Sequence, residues 1–117
     1  MGINSTEVSY GFGQLGSTYT TSLSDAIKPP TNKVFIAITM LTDTVFDSSN
    51  GLVSTEPTKY INTETAANDL AAAAETTDQG SGGKVVDTVT FPKGSTIYGR
   101  WNEIDVSSGS ILAYIGD

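Results

Sequence analysis

The run Lys33-Val34-Phe35-Ile36-Ala37-Ile38-Thr39-Met40-Leu41 is the most apolar stretch of the chain. Both of its alternating sets, Val34/Ile36/Ile38/Met40 and Phe35/Ala37/Leu41, are apolar, which predicts a strand buried on both faces. Two weaker segments follow, at about Thr44–Phe46 and Leu52–Thr55. Between them Asp47-Ser48-Ser49-Asn50-Gly51 supplies hairpin chemistry, because Asn-Gly accepts the positive φ of a tight turn. In the C-terminal third the alternation predicts strands at about 84–91, 95–101, 103–106 and 110–115. Turns are expected at Pro92-Lys93-Gly94 and Ser107-Ser108-Gly109.

The two remaining regions are weakly patterned. Val8, Tyr10 and Phe12 alternate with small residues and predict a short strand at about 7–13. The rest of 1–32, ending in Lys28-Pro29-Pro30, reads as extended arm and turn. Residues 57–83 hold Ala66, Ala67 and Ala71 to Ala74 around a single large apolar residue, Leu70. Alanine favours helix, yet one leucine gives a helix almost nothing to bury, so a short helical turn or a loop is expected.

Composition agrees with many short strands. The 117 residues include 17 Thr, 13 Ser and 12 Gly, types that suit strands and turns better than helices. At this length a second core would leave both halves too small to be stable. The expected fold is an all-β, single-domain antiparallel β-sandwich or barrel-like structure with an extended N-terminal arm. The arm is assigned to 1–32 and the core to 33–117, with a flexible Ala/Gly-rich insertion near 62–83.

Charge narrows the partners. The net charge is −7, and Arg100 is the one arginine beside five scattered lysines, so no basic patch exists to displace counterions from nucleic acid. Neither a signal-type opening nor an apolar run long enough to span a bilayer is visible, so no membrane partner is expected. Cysteine is absent, which suits assembly in a reducing cytoplasm.

Candidate chemistry is thin. Histidine is absent as well, removing the commonest general base and metal ligand along with the Ser-His-Asp and Cys-His arrangements. Glu103 and Asp105 stand two apart on an expected strand, neighbours on one face rather than a pair flanking a bound sugar. Gly11-Phe12-Gly13-Gln14-Leu15-Gly16 spells the dinucleotide fingerprint, but no amphipathic helix follows to hold a pyrophosphate. Asp43, Asp47 and Asn50 share one loop, although their spacing does not match the alternating oxygen ligands of a calcium loop. No catalytic residue, metal site or cofactor is therefore expected, and the chain reads as a non-enzyme.

What remains is surface for binding. In Thr96-Ile97-Tyr98-Gly99-Arg100-Trp101, Tyr98 and Arg100 share one strand face and Ile97 and Trp101 the other. Ile97 and Trp101 are expected in the core. Tyr98 and Arg100 are of types enriched at binding hot spots, and either packing within the chain or contact with another subunit would use them; with Tyr10, Phe12 and Tyr19 of the arm they are the candidate interface residues.

The segment Phe91-Pro92-Lys93-Gly94-Ser95-Thr96-Ile97-Tyr98-Gly99-Arg100-Trp101 and the ending Ser110-Ile111-Leu112-Ala113-Tyr114-Ile115-Gly116 resemble the C-terminal signature of small virion proteins of marine tailed bacteriophages. Glu7-Val8-Ser9-Tyr10-Gly11-Phe12-Gly13-Gln14-Leu15-Gly16 and the core strand into Thr42-Asp43 look similar too, so the resemblance covers roughly half the chain. It implies a structural virion protein, with capsid decoration (cement) as the role that best suits a short acidic β domain. On that footing the partners would be the major capsid protein and copies of the chain itself, as a homo-oligomer with a trimer among the options. The location would be the outer capsid surface, after synthesis in the host bacterial cytoplasm. A tail, fibre or knob subunit and a surface carbohydrate-binding β module are the alternatives.

Overall fold

A computed structural model describes residues 15–63, 78–80 and 82–117. The expected strand at 7–13, the interface candidates Tyr10 and Phe12, and the Ala-rich stretch around Leu70 lie outside the described residues.

The described chain is all-β, with seven strands in two antiparallel sheets. They are β1 (Ser17–Thr21), β2 (Val34–Met40), β3 (Val45–Phe46), β4 (Leu52–Ser54), β5 (Thr96–Ile104), β6 (Val106–Ser108) and β7 (Ser110–Gly116). The main sheet runs β1-β7-β2-β5-β4, and β3 pairs with β6 in a separate two-stranded ribbon.

The most apolar strand takes the centre. β2 lies between β7 and β5, and Val34, Phe35, Ala37, Ile38 and Met40 are buried. A register shift between Phe35 and Ala37 sends Phe35, Ile38 and Met40 to the inner face of the sheet. There they meet Trp101, Ile104, Leu52, Ile111, Ala113 and Ile115 from the neighbouring strands. Phe46 and Val106 of the ribbon, together with Ile27, Ile61, Val86 and Phe91 from loops, cover this inner face. Phe46 and Phe91 meet edge to face with ring centroids 5.5 Å apart.

Several expected elements come out differently. Residues 17–21, read as arm, form β1 and pair with β7 from Ser17↔Tyr114 to Thr21↔Ser110. Their sequence, Ser-Thr-Tyr-Thr-Thr, lacks any aliphatic residue, and the side chain it buries is Thr20. The segments 44–46 and 52–55 do not form a hairpin with each other. β3 pairs with β6 and β4 with β5, so the Asp47–Gly51 turn carries the chain from one sheet to the other. Asn50 does adopt positive φ, at 58°. Gly51 is fixed by space, because a Cβ there would lie 1.9 Å from the Asp47 main-chain oxygen.

The expected strand at 84–91 is absent. Val86 N bonds Asn62 O at 2.9 Å, the chain then turns, and only Phe91 makes a bridge, to Thr44. Strands expected separately at 95–101 and 103–106 are instead one nine-residue strand, β5, followed by β6. Opposite β4 the register shifts, so that Trp101 faces Ser54 and Glu103 faces Val53. The extra residue, Asn102, turns to solvent, which lets both Trp101 and Ile104 enter the core. The turn at Pro92-Lys93-Gly94 forms as expected, with Ser95 N bonded to Pro92 O at 3.2 Å. Gly109 makes the corner between β6 and β7 at φ 99°, where a Cβ would meet the Asp43 main-chain oxygen at 2.3 Å.

Candidate functional site

The register of the main sheet sorts its outward-facing side chains into rows. One row reads Tyr19, Leu112, Thr39, Thr96 across β1, β7, β2 and β5, and the next reads Ser17, Tyr114, Ala37, Tyr98. Residues directly opposite in a ladder share a face, so these two rows make one patch of tyrosine, threonine and small apolar groups. Tyr19 is 60% exposed and Tyr98 65% exposed, whereas Tyr114 and Leu112 are half-buried among their neighbours. Tyr98 and Tyr114 flank Ala37, so their Cα atoms stand two strand spacings, or roughly 10 Å, apart. Ala37 is nearly inaccessible on this outer face. Thr39 and Thr96 bond each other through their hydroxyls at 2.9 Å.

Arg100 follows Tyr98 by two residues but is tied within the chain. Its Nη1 donates to the Asp117 main-chain oxygen at 2.7 Å, and the Asp117 carboxylate is also ion-paired with Lys33. This clasp joins β5, the approach to β2 and the end of β7 at one end of the sheet. Of the expected interface residues, Tyr19 and Tyr98 therefore come to one sheet face, three strands apart, with Arg100 beside Tyr98. Ile97 and Trp101 face the core, Trp101 fully buried with Nε1 donating to Ile61 O at 2.8 Å.

Tyr114 and Leu112 were not singled out in the sequence. The signal was present, since Ile111, Ala113 and Ile115 alternate with them and are the buried set. Alternation located the strand but left open which of its faces would be covered.

The carboxylates are engaged locally. Asp43 Oδ1 accepts from Lys93 N at 2.9 Å, tying its loop to the Pro92-Lys93-Gly94 turn, and Asp47 Oδ1 accepts from Ser49 N at 3.0 Å within its own turn. Glu103 lies 4.0 Å from the Lys28 ammonium. The Asp105 carboxyl is raised above its usual range, first by burial and then by the negative charges of Asp47, Glu103 and Asp25. Among the described residues no group of three or more His, Cys, Asp or Glu converges as a metal site. No helix among them is long and apolar enough to cross a membrane.

Comparison with family models, with curated proteins and with solved structures returned no match.

Proposed function

We propose that the chain is a non-enzymatic structural protein of a bacteriophage particle, acting as a capsid decoration protein on the outer capsid lattice. The observation that carries this reading is the tyrosine-bearing outer face of the main sheet, with Tyr19 and Tyr98 exposed and Tyr114 half-buried between them, on a small acidic β domain. Rigid amphipathic side chains on a sheet face give contact area at little entropic cost, which suits docking on a repeated surface. Many weak contacts spread over a lattice gain by avidity, so no single copy needs high affinity. The complete absence of histidine and cysteine and the resemblance of 91–101 and 110–116 to phage virion proteins support the same reading.

The test is to mix the purified chain with capsids assembled without it and count bound copies by sedimentation and electron microscopy. Saturation of the capsid lattice is expected, with Tyr98→Ala binding more weakly and folding normally. Binding of only a few copies at a tail or vertex would move the assignment to a tail or fibre subunit.

The exposed tyrosines favour one second reading, a carbohydrate-binding module, since aromatic faces stack on sugars. Glycan-array binding lost in Tyr98→Ala, without any capsid binding, would select it.

A further inference from the structure

We infer that β1 is a self-pairing edge, through which two copies of this chain join their main sheets by antiparallel β1–β1 contact about a two-fold axis at Tyr19. The inference does not depend on the virion reading and concerns the free chain in solution.

Among the described residues the outward edge of β1 is open. Gly16 O accepts from Ile115 N at 3.0 Å, and Ser22 N donates to Gly109 O at 3.0 Å, so the residues in step with them, Thr18 and Thr20, face β7. Ser17, Tyr19 and Thr21 turn their main-chain groups the other way. Thr21 O is partly used by Ser24 N at 3.1 Å, but among the described residues nothing pairs with the main chain of Ser17 or Tyr19. A strand edge of this kind is a template for a further strand.

The sequence around β1 is complementary to itself. With Tyr19 on the axis, an antiparallel partner sets Ser17 against the partner's Thr21 and Tyr19 against its own copy. The hydrogen-bonding groups of all three then meet. Leu15, Tyr19 and Leu23 are three of the six large hydrophobic residues exposed among the described residues, and Leu23 is 96% exposed. Leu15 and Leu23 flank the strand, Leu23 in the turn closed by Ser24 N on Thr21 O, so both leave apolar surface beside the Tyr19 edge.

Charge selects the same partner. The chain carries −7, which opposes contact between copies at most of its surface, yet Leu15 to Ser24 contains no charged residue. A neutral strip in an acidic molecule is where two copies meet with least repulsion. The contact is short, so the dimer is weak and concentration-dependent, with the area of a transient rather than an obligate interface. An isologous contact of this kind closes as a dimer, or links larger rings in pairs.

Sedimentation velocity of the full chain over a range of concentrations tests this. Reversible monomer–dimer exchange is expected. Tyr19→Pro removes an outward N–H without touching the β7 ladder, and should weaken the dimer about tenfold or more. Leu23→Ser should weaken it with no change in melting temperature. The double change Ser17→Lys with Thr21→Lys should abolish dimers, and Ser17→Lys with Thr21→Glu should restore them, because the two positions face each other across the axis. Should Tyr19→Pro fail to fold, the charge pair alone decides. A wild-type chain that stays monomeric throughout, or lysine substitutions that leave association unchanged, overturns the inference.

Discussion

The two edges of the main sheet are finished in opposite ways. At β4 the outward main chain is closed by the protein itself. Leu52 N bonds Thr63 Oγ1 at 2.8 Å, Thr63 N bonds Leu52 O at 3.0 Å, and Ser54 Oγ accepts from Glu56 N at 3.0 Å. The loop that does this is itself stapled, with Asn62 Nδ2 donating to Pro57 O and Tyr60 O at 2.9 Å each and Trp101 Nε1 donating to Ile61 O. At β1 no such cover exists among the described residues, and protection rests on shortness and hydroxyl side chains. One edge is built into the core and the other is uncovered among the described residues, so damage at β4 should cost stability and, on the inferred β1–β1 contact, damage at β1 should cost association.

The largest effect expected from that contrast is at Trp101, which fills the core and also holds the loop closing β4. Trp101→Ala should destabilise the fold by about 3–5 kcal/mol in urea titration. Gly51→Ala comes next, at roughly 1–3 kcal/mol, because the new methyl group has to displace the Asp47 carbonyl where the chain enters β4. Thr63→Val keeps the shape but leaves Leu52 N unpaired in a buried place, a loss of about 1–3 kcal/mol. Tyr19→Thr at the opposite edge should stay within about 0.5 kcal/mol of wild type. Equal losses at Thr63 and Tyr19 would break the comparison.

The smallest effect concerns Asp105, whose main chain bonds Gly51 O and Asp47 N beside the β4 edge. Its pKa is raised in the folded state, so the charged form works against folding at pH values above that pKa. As pH falls through it the native state takes up the proton first and the penalty fades. Asp105→Asn should therefore raise the melting temperature modestly at neutral pH, with the gain disappearing in acid. A gain that persists unchanged at low pH would contradict the electrostatic cause.

How much of this was legible in the sequence follows from what the alternation could carry. Val34–Met40 announced itself because a central strand needs apolar side chains on both faces, and β7 because its buried set is clean. β1 was missed because an edge strand can be built from threonine, its ladder supplied by main-chain groups common to every residue. The hairpin expected across Asp47–Gly51 failed because turn chemistry fixes a local bend but not the partner of each flanking segment. The segment 84–91 had the apolar residues of a strand, yet only Val86 and Phe91 reach the core, and Val89 is 40% exposed. For the surface, residue type pointed to Tyr19 and Tyr98. That they share a face with Tyr114 depends on the order β1-β7-β2-β5, which joins strands distant in sequence.

Asn102 gives β5 a half-period phase slip, like a dislocation in a crystal row. Upstream of it the odd-numbered residues Ile97 and Trp101 point inward; downstream the even-numbered Ile104 does. One strand thus serves two stretches of core that are out of step with each other. Along β5 the frame of inside and outside turns on a single asparagine, whose own side chain is exposed.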